Sequence, residues 1–184
     1  RIAGIGMDVP ADVWYRHLYT HKYPITKQGK EHQSETFMKV VRPYLQLPET
    51  INARPALPPA SEKSILRMKN LLSINEEKKN NKKNNKKILF CVRGTHPDKD
   101  WPPGYFASVI SEITNKYGAD CYITGAPGDF DYASEIIKEC ECSVKNICGM
   151  TNPDDLVALF TCADLLVSVD TGLGHIAATT DIPI

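Results

Sequence analysis

Directly after the apolar run 164–169 stand Asp170, Thr171, Gly172, Leu173, Gly174 and His175, which bring an acid, a hydroxyl, two glycines and an imidazole into six residues. If a buried strand ends there and a helix begins, the backbone N–H groups of this corner and the Thr171 hydroxyl face one crevice and suit an anion such as a phosphate. The string is neither the Walker sequence G-x-x-x-x-G-K-[ST] nor the G-x-G-x-x-G of a first strand–helix turn. Asp170, five residues before His175, also fits hydrolysis, with His175 as base and Asp170 orienting it, although no G-x-S-x-G nucleophile elbow is present. A structural role stays open as well: a helix histidine bonded to a neighbouring carbonyl.

Three further loops hold chemistry. "GTHPDKDWPPGYF" offers Gly94 and Thr95 for close backbone approach and Lys99 as a cation, so that Thr95, Lys99 and backbone N–H groups fit a phosphate; the alternative is a surface turn with a solvated lysine. "GAPGDFD" is a glycine-rich turn ahead of a helix and contains Asp129. "CGMT" supplies Gly149 and Met150, and a methionine serves a core as readily as a ligand pocket.

The elements that must position these loops are short. "ILFCVR" (88–93), "DCYITG" (120–125), "SVKNI" (143–147) and "DLLVSV" (164–169) read as strands. Phe106, Val109, Ile110 and Ile113, then Ala133, Ile136 and Ile137, then Leu156, Leu159 and Phe160 fall at helical spacing between them. Such alternation predicts an α/β fold, a Rossmann-like parallel sheet with helices on both faces, whose ligands sit outside the carboxyl ends of the strands. Upstream, Phe37, Val40, Val41, Tyr44 and Leu45 predict a helix from about His32 to Leu47, which Pro43 should kink or end early. "NARPALPPASEKSILRMKNLLS" reads as an extended linker followed by a short helix capped by Ser61. "NEEKKNNKKNNKK" is polar, low-complexity sequence that can bury nothing. The expected division is 1–57, the end of one domain with a linker, and 58–184, a second domain.

The chain has 184 residues, 42% of them hydrophobic and 24% charged, enough for one domain core and part of another. Its 22 basic residues balance 22 acidic ones, so no overall field draws it to nucleic acid or an anionic membrane. The six cysteines show no repeating C-x-x-C and lie partly in apolar runs, which suggests reduced thiols in a cytoplasmic setting and no metal site. No apolar run is long enough to span a bilayer. Both ends look cut, the first in "RIAGIGM" and the last in "DIPI", so the sequence reads as a piece of a longer protein.

"VRGTHPDKDWPPGYFASVISEI", "YITGAPGD" and "NICGMTNPDDLVALFTCADLLVSVDTGLGHIAATTDIPI" together resemble the C-terminal half of the family 9 glycosyltransferases, the ADP-heptose:lipopolysaccharide heptosyltransferases. The resemblance spans residues 88–184, and D-T-G-L-x-H is its most distinctive string. "EHQSETFMKVVRPYLQL" is similar to the family's H-x-x-E helix, here His32 and Glu35. The resemblance implies a GT-B architecture, with 1–57 ending the acceptor-binding domain and 58–184 holding the nucleotide-sugar donor. It implies that Thr95 and Lys99 contact the donor's phosphate and sugar, with Gly94 standing where relatives often have a second hydroxylated residue. Met150 would line the adenine pocket, and Asp129 would stand near the ribose, where relatives often have a glutamate. Asp170 would lie near the donor sugar. Thr171, Gly172 and Leu173 would bind the diphosphate, and His175 would support that turn.

The activity so implied is transfer of heptose, with inversion, from ADP-heptose to a lipopolysaccharide core or other glycan acceptor, with Lys99 and Asp170 in the catalytic roles. No cofactor or metal is implied, no nucleic-acid partner, and a cytoplasmic location that admits peripheral contact with the inner membrane. The family's general base is an aspartate in the first loop of the N-terminal domain. No position here corresponds to it, so the chain alone is expected to bind donor weakly and transfer little. The alternatives are a nucleotide-binding module without transfer chemistry and another GT-B activity such as a nucleotide-sugar epimerase.

Overall fold

The structure, a computed structural model, describes residues 3–6, 21–24, 33–51, 56–74, 85–94, 96, 98 and 100–184. The chain divides into two compact units, Arg1–Pro55 and Ala56–Ile184. In the first, strands β1 (Ala3–Gly6) and β2 (His21–Pro24) pair in parallel. Helix α1 (Gln33–Leu45) follows, and His32 lies outside the described residues. Pro43 sits in the last turn of α1, and the chain leaves the helix at Gln46 with φ 54. The proline therefore precedes an end rather than a break: its missing N–H falls where the helix is about to stop.

The second unit begins with helix α2 (Glu62–Leu71), capped as its sequence predicts, the Ser61 hydroxyl accepting the Ser64 N–H at 3.1 Å. Then come β3 (Lys87–Cys91), α3 (Pro103–Tyr117), β4 (Asp120–Thr124), α4 (Phe130–Glu139), β5 (Val144–Asn146), α5 (Leu156–Thr161), β6 (Leu165–Ser168) and α6 (Gly172–Ala177). Pro103 opens α3 at a position that needs no N–H donor. Gly118 closes it in the left-handed conformation at φ 64. The strands stop one or two residues before the apolar runs do, because ladder pairing ends at Cys91, Thr124, Asn146 and Ser168.

All four strands of this sheet are parallel, in the order β5-β4-β3-β6. Side chains alternate between two cores. Leu89, Cys91, Tyr122 and Leu166 face α2, α5 and α6 through Met68, Leu72, Leu159, Phe160 and Ala177. Ile88, Phe90, Cys121 and Ile123 face α3 and α4 through Phe106, Ile110, Ala133 and Ile136. Burial on both faces explains why β3 reads as unbroken apolar sequence. The chain winds from β3 to β4 to β5 with α3 and α4 on one face; α5 then returns on the other face and sets β6 beside β3. The sheet therefore reverses direction between β3 and β6, the place where ligands bind in doubly wound folds.

The opposite, amino end of the sheet is closed by charge. Asp120 takes the Lys87 ammonium and the Asn85 amide, and Asp164 takes the Lys86 ammonium at 2.6 Å and the Lys87 N–H at 2.8 Å. Burial pushes both carboxyls up, but these bonds outweigh it and hold both below their ordinary value. A pKa lower in the folded than in the unfolded chain means that the unfolded chain takes up protons first as pH falls. The stabilisation is therefore complete above about pH 4, the ordinary aspartate value, and is lost as pH drops through the depressed folded values. A pH series of melting temperatures should fall below that point, and less steeply for Asp164→Asn; equal slopes would contradict the assignment.

Candidate functional site

Loops leave the carboxyl ends of β3, β4, β5 and β6, and the reversal point lies between β3 and β6. At the seam itself the Val169 N–H donates to the Cys91 carbonyl at 3.1 Å, and Ser168 pairs with Cys91. The Cys91 thiol is pushed up to about 11 by burial, against the Ser168 and Thr171 hydroxyls, which favour its ionised form, and with the Asp129 carboxylate adding to the rise. Cys148 is pushed up to about 12, again by burial first and then by Asp129 and Cys91. Both are neutral thiols at physiological pH, so the floor of the crevice carries no thiolate nucleophile.

Past the seam, Thr171 is extended (φ −147, ψ 162), and its side chain makes no capping bond to the first N–H groups of α6. Asp170 and His175 flank this corner, Oδ1 and Nε2 3.5 Å apart and side chains 63% and 80% exposed. His175 thus looks into solvent beside the corner rather than into the core. Leu173 turns inward against the core shared by α2, α5 and α6.

The glycines distinguish internal demands from external ones. A Cβ on Gly174 would come 3.2 Å from Ser168 Oγ, and one on Gly125 would come 2.6 Å from Asp129 Oδ2. Gly149 needs its positive φ of 75 and packs on Pro127. Gly172 has ordinary helical geometry, and a Cβ there meets nothing within 4 Å among the described residues. Among the described residues, neither the backbone nor the packing asks for glycine at 172; close approach of a ligand would.

In the loop after β4, Asp129 turns back so that Oδ2 accepts the Ala126 N–H at 2.7 Å. One of its carboxylate oxygens is thus committed to the loop that carries it. The loop after β5 is laced to this one by the Gly149 N–H, which donates to the Gly125 carbonyl at 3.0 Å. Met150 is exposed. Its carbonyl accepts Arg67 Nη2 at 3.0 Å, while Arg67 Nη1 stands 2.5 Å from Asp155 Oδ2, which also accepts the Asn152 N–H at 3.0 Å. Arg67, from α2, therefore fixes the loop of Met150. A cleft of about 580 Å³ between the start of α2 and Asn152–Val157 lies beside it.

In the loop after β3, Gly94 is half-buried and its N–H donates to Asp100 Oδ1 at 2.9 Å. Thr95 and Lys99 lie outside the described residues. In the first unit, Glu35 pairs with Arg42 at 3.2 Å. Sequence reasoning missed Arg67, Arg93, Asp100 and Asp155. Asp100 stands six residues after Gly94, close enough in sequence for the pair to be guessed, whereas Arg67 and Asp155 are 88 residues apart and carry no local signal. Among the described residues, no group of three or more His, Cys, Asp or Glu is placed to hold a metal ion, and no helix is long and apolar enough to cross a membrane.

Fold and site together define a doubly wound α/β domain that gathers glycine-bearing loops at its switch point, the class in which an anionic ligand lies across the carboxyl ends of the strands. The model of glycosyltransferase family 9 (heptosyltransferase) matches residues 15–184, and the chain belongs to that family. It is 29% identical over 101 residues to the lipopolysaccharide core heptosyltransferase OpsX of Haemophilus influenzae, a match covering 54% of this chain and 29% of that protein. It is 28% identical over 92 residues to lipopolysaccharide heptosyltransferase 2 of Salmonella typhimurium, covering 48% of this chain and 26% of that protein. The matched segments thus span under a third of these relatives. Among solved structures, the family 9 glycosyl transferase of Veillonella parvula superposes with a TM-score of 0.75 at 18% identity, over 92% of this chain and 47% of that one. The E. coli heptosyltransferase WaaC with ADP-2-deoxy-2-fluoro heptose gives 0.59 at 21% identity, over 91% and 47%. The parallel α/β fold expected from the strand–helix alternation is the fold found, and it is shared with these family 9 structures.

Proposed function

We propose that this chain contributes the donor-binding part of a glycosyltransferase that moves heptose from ADP-heptose to a lipopolysaccharide core acceptor with inversion, at the cytoplasmic face of the membrane where that acceptor is built. Relatives bearing the heptosyltransferase name, and a fold shared with a structure holding an ADP-heptose analogue, support the reading. The observation that carries it is the corner at the switch point: a helix start that the Thr171 side chain does not cap, beside Gly172, a glycine that nothing among the described residues requires.

In this reading the acceptor hydroxyl attacks the anomeric carbon from the face opposite the diphosphate. The new C–O bond forms as the bond to the diphosphate breaks, ADP departs with the electron pair, and the hydroxyl proton passes to a general base. Charge develops on the leaving diphosphate, so donors fixed in advance around it lower the barrier. The N–H groups of Thr171, Gly172 and Leu173 serve in that role with the Lys99 ammonium, helped by Thr95 and the Gly94 backbone. Asp170 stands by the sugar, with His175 beside it; Met150 lies against the adenine, and the free oxygen of Asp129 faces the ribose.

Calorimetric titration of the folded chain with ADP and UDP tests the reading. ADP should bind with the larger affinity, since the Met150 side of the crevice offers an apolar contact for a purine. Equal and negligible binding of both nucleotides would overturn it.

A further inference from the structure

Met150 is an exposed apolar residue on a backbone that is bonded on both sides. It is 44% exposed. Its N–H donates to the Ile147 carbonyl at 3.1 Å, and the Gly149 N–H before it donates to the Gly125 carbonyl at 3.0 Å. Its own carbonyl accepts Arg67 Nη2 at 3.0 Å, while Arg67 Nη1 stands 2.5 Å from Asp155 Oδ2. That carboxylate oxygen also accepts the Asn152 N–H at 3.0 Å, so one guanidinium and one carboxylate hold the turn 150–152 between α2 and the start of α5.

The Asp155 side chain is only 5% exposed, and a carboxylate so buried is costly unless it is paired and fully bonded. Arg67 and the Asn152 N–H meet that need, and both bonds serve the shape of the loop that carries Met150. A guanidinium is a rigid planar fork that can hold a carbonyl and a carboxylate at once, whereas an ammonium is a single point donor. Methionine, for its part, is flexible and makes favourable contacts with aromatic rings. Such a side chain presents a defined face only where its backbone is fixed.

We propose that Arg67 is a positioning residue that sets the base selectivity of the donor site. By tying the Met150 carbonyl to Asp155, it holds the Met150 side chain as the face on which a purine lies, and it touches no donor atom itself. The inference rests on the donor-site reading above. A contact held in place beforehand spares the ligand the cost of ordering it. A purine covers more apolar area than a pyrimidine and gains more from that face, so the preference for ADP over UDP is the quantity that Arg67 controls.

The test is calorimetry of wild type, Arg67→Lys and Arg67→Ala with ADP and UDP. Arg67→Ala should weaken ADP about tenfold and UDP about threefold or less, so that the ratio of the two affinities falls; Arg67→Lys should lie between alanine and wild type, as expected when hydrogen bonds to a charged group are lost in part. A merely structural role would move both nucleotides together or neither. An unchanged ADP-to-UDP ratio in folded Arg67→Ala therefore overturns the positioning role alone. If the alanine variant does not fold, Arg67→Lys decides: a lowered ratio supports the role and an unchanged ratio overturns it. A wild type that binds both nucleotides equally well overturns the Met150 contact and this role with it, but leaves the diphosphate corner standing. A folded wild type that binds neither overturns the donor site itself.

Discussion

Replacing Gly172 with valine should weaken ADP binding about 5- to 150-fold, the equivalent of the ~1–3 kcal/mol that an intruding side chain costs a packed contact. The melting temperature should stay within about 3 °C of wild type, because a substitution into open space changes stability little. The asymmetry follows from the geometry. A Cβ at Gly172 meets no atom of the described residues within 4 Å, whereas at Gly125 or Gly174 it meets Asp129 or Ser168. Added bulk at 172 therefore finds room among the described residues and is expected to obstruct what comes to lie against the N–H groups of α6. Gly172→Ala should show a smaller loss in the same direction. Calorimetry beside thermal melts reads both quantities; unchanged ADP affinity in the valine variant would mean that the diphosphate lies elsewhere.

Phe90→Ala should do the reverse, costing about 3–5 kcal/mol of stability, the usual range for truncating a buried phenylalanine. Phe90 is fully buried in a strand with neighbours on both sides, packed against α3 and α4. Domains of this kind hold only about 5–15 kcal/mol in total, so the variant should sit close to unfolding at 37 °C. ADP binding should fall only as the folded fraction falls, because the residue after Phe90 holds the Val169 N–H through its carbonyl. Leu66→Ala is the control: Leu66 is 62% exposed on α2, and its loss should cost no more than about 0.5 kcal/mol. Urea unfolding measures both, and a Phe90→Ala cost below about 1 kcal/mol would contradict the packing described.

The legible parts of this fold were those written in local sequence. Strands β3 and β4 announce themselves because they are buried on both faces and read as short apolar runs between turn residues, while β5 and β6 are shorter and only partly buried. Ser61 is legible as a cap because its partner lies three residues away. The β1–β2 pair is not: "HKYP" has no strand alternation, and its partner is 18 residues upstream, so only the fold reveals the pairing. The corner at 170–175 was visible as an unusual set of residue types, but the exposure of His175 depends on how short α6 is and where it packs. The partners of Arg67 are a backbone carbonyl and a carboxylate more than 80 residues away. Asp129 was legible as an acid at the crevice, but its bond to its own loop is set by backbone geometry that no residue type records.

The most direct measurement is a crystal structure of the chain grown with ADP. The account predicts the diphosphate across the β3–β6 reversal, against the N–H groups of 171–173, with the adenine on the Met150 side. ADP bound in the cleft beside α2, or anywhere that leaves the 170–173 corner bare, would contradict it.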